Sequence, residues 1–475
     1  MIEFVVYAGF VVPNDNFQIE RVHIRDVTPR SFFERFVATR TPVVLEGIIQ
    51  DEVFTAPAKW SNAYLKQLAG EETLAVERRG ATSEKFGKGV EVPMQFKELL
   101  DLIASGDEMH YLTTQDVEAD GEDGRPELMA PFVAKLQQDF PLRPELLGHL
   151  VPQNINIWMG NNKDGSSSGL HHDYHDNLYI LLRGKKRFRL YSPAEAHRMY
   201  TRGKLVRVHA NGRINYEGEE TTAYGADPLS EAAALASIEK EDAERELEAA
   251  EQAVEVAKTN GDKDAEKEAE ARLEAAEDRL DKAMMTLLRV ERDEGSDCAS
   301  EPEDGEFGAF HFDEDEDEGD DSDENEEGGD DEAADGKDED NTKDSDDKRV
   351  VDKTVKDPVN FSRIDTFLLR EPASKKQLLS EFPLFADAKA AFCDLSVGEM
   401  LFLPASWFHE VESFGRSAEP ATDTSSASAS ASASASADGG HLALNYWYHP
   451  PDALQNFEKP YSSPFWPRDW ELRSA

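Results

Sequence analysis

The sequence of 475 residues predicts a mostly β fold, a barrel or a sandwich, with helices before it and a helical hairpin inserted into it. The first observation is a series of short apolar segments, separated by glycine and proline, that begins at residue 154. The second is that this pattern stops near residue 227 and resumes only at Phe392. The third is that the residues between these two points differ in composition from the residues on either side. Short strands bounded by turn residues are typical of barrels and sandwiches.

The N-terminal residues 1–150 alternate helical and extended patterns. Residues 29–37 and 96–103 have apolar side chains at helical spacing, whereas 41–47 and 110–114 are short apolar runs that favour strands. We therefore expect residues 1–150 to be the N-terminal α/β part of the same folded unit as the β core.

The β core is predicted from two separated ranges, 151–227 and 351–475. Strand patterns occur in NINIWMG, in the long segment GLHHDYHDNLYILLRG and in KKRFRLYSP. After the interruption they return in the segment that begins with FCDLSVGEMLFLP and in HLALNYWYHP. Because the strand pattern is interrupted and then resumes, we expect both ranges to form one β core with an insertion between them.

The insertion has two parts with different properties. Residues 228–292 are rich in Ala, Glu, Lys and Leu near a 3.6-residue period, and the TNGD sequence at 259–262 breaks that pattern. This predicts an antiparallel helical hairpin with coiled-coil character. Residues 293–350 are acidic and predict a disordered tract, because like charges repel and few apolar residues are present. A Ser/Ala segment at 424–437 predicts a low-complexity surface loop.

Charge limits the partners of the chain. The formal net charge is −47, of which the range 293–347 supplies most, with 29 acidic residues and two lysines. Such a surface makes nucleic acid an improbable partner and suits basic proteins, which the acidic tract is expected to bind. No apolar run is long enough for a membrane helix, and the N-terminus lacks the basic flank of a secretory signal. With two cysteines, we expect a reducing compartment, the cytoplasm or also the nucleus.

A metal-binding pattern lies in residues 169–179, GLHHDYHDNLY. Since alternate residues of a strand share a face, His171 and Asp173 are expected to point the same way. An imidazole and a carboxylate are two of the three ligands in the facial triad that holds non-haem Fe(II). The third ligand must come from another strand. Two neighbouring histidines, His172 and His175, leave other pairings open.

The third ligand is predicted in residues 397–411, VGEMLFLPASWFHEV. His409 follows an apolar strand and a proline, and the aromatic residues Trp407 and Phe408 beside it could exclude water. His441 and His449 are weaker alternatives, since one borders the Ser/Ala segment and the other precedes two prolines. The predicted metal ligands and catalytic residues are therefore His171, Asp173 and His409.

Several segments together resemble the JmjC family of Fe(II)- and 2-oxoglutarate-dependent oxygenases. They are NIWMG, LHHDYHDNLY followed by RGKKRF, GEMLFLPASWFHEV and LALNYWY. The resemblance covers residues 20–227 and 351–459. It implies a double-stranded β-helix, which is the jelly-roll or cupin fold, and it implies Fe(II), 2-oxoglutarate as cosubstrate and dioxygen. Without residues 228–350, the spacing from Asp173 to His409 becomes that of the family.

The resemblance also implies roles around the cosubstrate. Lys186 matches the cation that binds the distal carboxylate of 2-oxoglutarate, and a lysine on a strand suits that task. Its neighbour Lys185 is expected to face outward. Tyr111 and Ser168 match hydroxyl donors to the same carboxylate, although the family more often has threonine at the second position. The amides and the apolar wall of the pocket are implied to be Asn177, Asn445 and Trp447.

The function implied is hydroxylation of a protein side chain. The likeness is greatest to a lysyl hydroxylase branch, which implies a lysine of a translation-associated GTP-binding protein as substrate. Histone lysine demethylation and hydroxylation of another residue or of a tRNA base are alternatives within the family. From a different class, the chain could be a non-catalytic acidic scaffold that binds basic proteins, but a scaffold does not need the triad and Lys186. A homodimer and a monomer are both left open.

Overall fold

The structure, a computed structural model, describes residues 7–81, 89–115, 117, 127–261, 263–297, 358–415 and 438–473. Two predicted segments fall outside these residues. The acidic tract at 293–350 is described only where 293–297 end a helix, and the Ser/Ala segment at 424–437 is not described.

Fourteen of the sixteen strands in the described residues belong to two large sheets, and the other two pair only with each other. In the described part of the chain the strands are β1 Phe17–Gln18, β2 Arg21–His23, β3 Val43–Glu46, β4 Thr73–Arg78, β5 Val90–Gln95, β6 His110–Leu112, β7 Pro152–Gly160, β8 Ser166–Ser167, β9 Asp176–Arg183, β10 Lys185–Tyr191, β11 Leu205–Val208, β12 Ile214–Tyr216, β13 Ala391–Leu395, β14 Glu399–Leu403, β15 Phe408–Phe414 and β16 His441–Tyr448.

The helices precede, interrupt and follow the strands. In the same residues the α-helices are α1 Pro29–Phe32, α2 Ala56–Lys59, α3 Asn62–Ala69, α4 Phe96–Ser105, α5 Pro131–Ala134, α6 Pro228–Asn260, α7 Lys263–Asp297, α8 Pro372–Glu381 and α9 Phe465–Arg473. A π-helical turn, Phe33–Val37, continues α1. None of the helices described is long and apolar enough to cross a membrane.

Two sheets form the core. One has nine strands in the order β2-β3-β14-β9-β16-β7-β6-β4-β5, and the other has five in the order β1-β13-β10-β15-β8. Strands from before and after the insertion are interleaved, because β9 lies between β14 and β16 and β10 lies between β13 and β15. The predicted jelly-roll fold is confirmed, and the two separated ranges build one core.

Strand β9 shows why its sequence is apolar throughout. Leu178 and Ile180 pack with the N-terminal helices on the outer face of the nine-stranded sheet. Tyr179 and Leu181 point to the other face and pack with residues of the five-stranded sheet, such as Phe188. A strand that is buried on both faces has no polar alternation, and all eight residues of β9 are buried.

The N-terminal part supplies strands to the nine-stranded sheet and packs its helices against it. The ring of Phe32 at the end of α1 meets Phe402 of β14 edge to face at 5.2 Å between centroids. Helix α4 begins with a reciprocal cap between Gln95 and Glu98, and it ends at Gly106, whose φ of 88° suits glycine. The predicted helices at 29–37 and 96–103 and the strand at 41–47 are all found.

The inserted helices α6 and α7 pack against each other over most of their length. Asp227 caps the start of α6, and Gly261, with φ of 70°, ends it at the predicted break. Buried alanines recur every seven residues, which lets the two backbones approach closely. They are Ala236, Ala243, Ala250 and Ala257 on α6 and Ala269, Ala276 and Ala283 on α7. At the base, the Tyr224 hydroxyl donates to Glu231 and Ala234 packs on the main core.

Candidate metal centre

The three predicted ligands meet at one point inside the barrel. Nε2 of His171 lies 3.9 Å from Oδ1 of Asp173, and Nε2 of His409 lies 3.6 Å from Oδ2 of the same carboxylate. One ligand atom from each residue lies within 4.8 Å of the other two. Among the residues described, no other group of His, Cys, Asp or Glu forms such a cluster.

Hydrogen bonds fix which nitrogen of each histidine faces this point. Nδ1 of His171 donates to the carbonyl of Gly169 at 3.1 Å, and Nδ1 of His409 donates to the carbonyl of Trp407 at 2.9 Å. Each Nε2 therefore keeps its lone pair for a metal. Burial, followed by the nearby charge of His409, lowers the pKa of His171 to about 4, so that its imidazole is neutral near pH 7.

The segment that carries His171 and Asp173 is not a regular strand, which corrects the expected geometry. His171 makes an isolated β-bridge to His409, with backbone N–H···O distances of 3.1 and 2.7 Å, and β9 begins only at Asp176. The Asp173 carbonyl instead accepts from the amide of Ser406 at 2.8 Å. Ser406 is buried with φ of 59°, an uncommon conformation that such sites often contain.

Lys186 lies on β10 with its ammonium group buried. Its side chain is 1% exposed, and Nζ donates to the Ser413 hydroxyl at 2.6 Å. No carboxylate in the described residues pairs with it, whereas the neighbouring Lys185 is exposed and lies 3.2 Å from Asp394. Burial lowers the pKa of Lys186 to about 7. A buried ammonium without an anion is costly, so this position suits an anionic ligand.

The two predicted hydroxyl donors lie differently with respect to Lys186. Nζ of Lys186 is 5.9 Å from the centre of the Tyr111 ring, and burial raises the pKa of that phenol, which keeps it a neutral donor. The hydroxyl of Ser168 donates to the Gly169 carbonyl at 3.0 Å and accepts from the amide of Val411 at 3.1 Å. Both predicted roles toward the cosubstrate stay predictions.

The predicted amides are in contact with each other. Nδ2 of Asn445 donates to Oδ1 of Asn177 at 3.1 Å, and Nε1 of Trp158 donates to Oδ1 of Asn445 at 2.8 Å. Trp447 packs edge to face on Trp158 at 6.3 Å and stacks on His175 at 5.7 Å. These side chains form one connected group on strands β7, β9 and β16.

The other histidines have different surroundings from the ligands. Nε2 of His172 is 2.9 Å from the Tyr216 hydroxyl, and burial lowers its pKa to about 3. His175 stacks on Trp447, and His449 stacks on Trp466. His441 is buried beside the Tyr111 ring, and burial followed by the charge of Lys186 lowers its pKa. None of these four joins the cluster that could hold a metal in the described residues.

Sequence reasoning missed two residues that touch the site. Ser413 binds Lys186, and it could have been found because it shares a face of β15 with His409 and Val411. Phe361 stacks on the His171 ring, with centroids 4.7 Å apart and planes 12° apart. No sequence pattern indicated Phe361, since it follows the acidic tract at a distance from any motif.

The residues fit a ferrous ion and a diacid. Two imidazoles and one carboxylate form the facial set typical of non-haem Fe(II), and they leave coordination positions for other ligands. The buried ammonium of Lys186 could hold a carboxylate. A jelly-roll core with this arrangement defines the class of 2-oxoglutarate-dependent oxygenase folds.

Comparisons with known proteins agree with that class. The sequence matches a cupin-like domain over residues 29–454, and the chain belongs to the cupin-like JmjC-domain family. It is similar to JmjC domain-containing protein 4 of Schizosaccharomyces pombe, at 31% identity over 489 residues, which covers 97% of this chain and 91% of the relative.

Two shorter similarities concern named enzymes. The human bifunctional peptidase and (3S)-lysyl hydroxylase JMJD7 is 26% identical over 178 residues, or 35% of this chain and 52% of the relative. The human tRNA wybutosine-synthesizing protein 5 is 27% identical over 200 residues, or 39% of this chain and 59% of the relative. The chain therefore spans little more than half of these two relatives.

Proposed function

We propose that the protein is an Fe(II)- and 2-oxoglutarate-dependent dioxygenase that hydroxylates a protein side chain. The observation that carries this proposal is the triad together with the buried ammonium of Lys186, which has no carboxylate partner in the described ranges. When bound, Fe(II), 2-oxoglutarate and dioxygen would supply the insertion of one oxygen atom into a C–H bond, with succinate and carbon dioxide as the other products.

The protein's own residues hold and orient the reactants. His171 and His409 present Nε2 because their Nδ1 atoms are already bonded to backbone carbonyls. Asp173 supplies a negative charge that partly neutralises a divalent ion. Lys186 fixes the far end of the diacid, and Trp407 and Phe408, which directly precede His409, are both buried. No side chain has to act as a general base.

The proposed substrate is a lysine side chain of a translation-associated GTP-binding protein. Support for lysine comes from the human relative whose name includes lysyl hydroxylase, and from the resemblance of the motifs. The GTP-binding target rests on that resemblance alone. Demethylation of a methylated lysine is the second candidate, because a relative from Danio rerio, 23% identical over 213 residues, is named lysine-specific demethylase 8.

The test is a product analysis with the full chain. The protein is incubated with Fe(II), 2-oxoglutarate and a panel of translational GTP-binding proteins, histones and tRNA, and each is analysed by mass spectrometry. The proposal predicts a gain of one oxygen atom on a lysine, absent with Asp173→Ala. Loss of a methyl group from a methylated lysine would instead favour the demethylase, and an oxygen on tRNA would refute a protein substrate.

A further inference from the structure

Residues 358–364, the first described residues after the acidic tract, run beside the metal-binding segment. The amide of Ser362 donates to the Leu170 carbonyl at 2.9 Å, and Nδ2 of Asn360 donates to the His172 carbonyl at 2.5 Å. Phe361 lies between them and forms an isolated antiparallel bridge with His171. The segment therefore pairs with the part of the chain that carries the first metal ligand.

The same segment is also held on its other side. The amide of Arg202 donates to the Phe361 carbonyl at 2.9 Å, and the amide of Gly203 donates to the Val359 carbonyl at 2.8 Å. The Ser362 hydroxyl donates to the carbonyl of Met199 at 2.5 Å. The three bonds on this side are made by the carbonyls of Val359 and Phe361 and by the Ser362 hydroxyl. None of them involves the ring of Phe361, so they hold its backbone without that ring.

The ring of Phe361 covers one face of the His171 imidazole. The planes are 12° apart and the centroids 4.7 Å apart, which is a stacked geometry. The rings of His171 and His409 are tilted by 55° at 4.4 Å. The bond from Nδ1 to Gly169 holds one edge of the imidazole, and the stacked ring adds a contact to its face.

We propose that Phe361 is a positioning residue of the metal centre, which sets the plane of His171 and so the direction of its Nε2 lone pair. The proposal rests on the metal site of the proposed function. It adds to that site a residue from the segment that follows the insertion. A residue that orients a ligand acts on metal affinity and on the electronic structure of the bound ion.

The test is a titration of the full chain with Co(II), a probe whose visible absorption reports ligand geometry. Phe361→Ala is expected to weaken Co(II) binding by about three- to tenfold, the range of a lost aromatic stack. The visible absorption bands of Co(II)-saturated Phe361→Ala are also expected to shift from those of wild type, which a merely structural role of Phe361 would not cause. Phe361→Tyr keeps the stack and is expected to behave as wild type, whereas Phe361→Leu, which keeps apolar volume without a ring, is expected to resemble Phe361→Ala.

The matched control is Phe367→Ala, six positions later. Phe367 is 53% exposed and contacts Arg370 instead of the metal ligands. If wild type binds Co(II) and Phe361→Ala has the affinity and bands of Phe367→Ala, the positioning role is refuted and the oxygenase proposal stands. If wild type and Asp173→Ala both fail to bind Co(II), the metal site itself is wrong, and both proposals fall together.

Discussion

Replacing Lys186 by methionine separates a structural lysine from a ligand-binding one. Methionine has a similar length and no charge, and position 186 is 1% exposed, with one hydrogen bond to Ser413. If Lys186 existed for stability, its loss would destabilise the fold. We expect the opposite, because a buried ammonium without a carboxylate lowers the stability of the ligand-free protein.

The magnitude follows from the pKa of Lys186. Burial lowers it from 10.5 to about 7, so at pH 7 folding loses about 4 kcal/mol relative to an unshifted lysine. The hydrogen bond to Ser413, about 1 kcal/mol, is lost in the variant. We therefore expect Lys186→Met to be more stable by about 3 kcal/mol, and to melt about 6 °C higher. The gain is full below pH 7 and fades as pH rises toward 10.5, where the unfolded lysine also loses its proton.

The assay is thermal unfolding with and without 2-oxoglutarate, combined with calorimetric binding of 2-oxoglutarate. Lys186→Met is expected to lose the stabilisation by 2-oxoglutarate and to bind it roughly 10- to 150-fold more weakly, since a charged hydrogen bond worth about 1.5 to 3 kcal/mol is removed. Lys185→Met is the matched control, because Lys185 is exposed beside Asp394, and it should change stability by less than about 0.5 kcal/mol. A less stable Lys186→Met that still binds 2-oxoglutarate would refute the reasoning.

Further predictions concern the ligands, the core and the insertion. Asp173→Ala is expected to weaken Fe(II) or Co(II) binding by roughly 100-fold or more with an unchanged circular dichroism spectrum, and tight binding would count against the triad. Asp176→Asn breaks a fully buried ion pair, in which Nη1 of Arg40 lies 2.8 Å from Oδ2 of Asp176. Urea unfolding should show that the free energy of unfolding falls by about 3 to 5 kcal/mol. Because the pKa of Lys186 is about 7, the wild-type affinity for 2-oxoglutarate should fall as pH rises from about 6.5 to 8.5. In Lys186→Arg, the affinity measured by calorimetry should depend less on pH, since arginine stays charged. Equal dependence of affinity on pH in the two proteins would contradict this. Replacing residues 243–276 by a short glycine-rich turn should leave Co(II) affinity unchanged, because the contacts at the hairpin base lie outside the removed part, and a lost site would show that the hairpin supports the barrel.

The fold and the triad could be predicted because local patterns carry them. The apolar run of β9 and the sequence around His409 depend on nearest neighbours and on burial, which the residue types report directly. The pairing of His171 with Asp173 was predicted through strand alternation, whereas the structure brings them together in an irregular segment held by Ser406. The three side chains lie together as predicted in the described residues, although the backbone geometry assumed for the first two was wrong.

Contacts across the insertion could not be predicted from the sequence. Phe361 reaches His171 through pairing between segments 190 positions apart, and no periodicity connects them. Ser413 was within reach of the alternation argument, but its role became visible only when β10 was seen beside β15. Side chains that act through tertiary pairing have no local pattern of their own, so the structure is needed to find them.

The most direct test of the oxygenase is conversion of 2-oxoglutarate to succinate by the purified full chain. The protein is supplied with Fe(II), 2-oxoglutarate and dioxygen, and succinate is measured for wild type and for Asp173→Ala, with and without a lysine-bearing protein substrate. We predict Fe(II)-dependent succinate from wild type that a substrate increases, and none above background from the variant. Equal succinate from both proteins, or no succinate from a wild type that binds Fe(II) and 2-oxoglutarate in the presence of its substrate panel, would contradict the assignment.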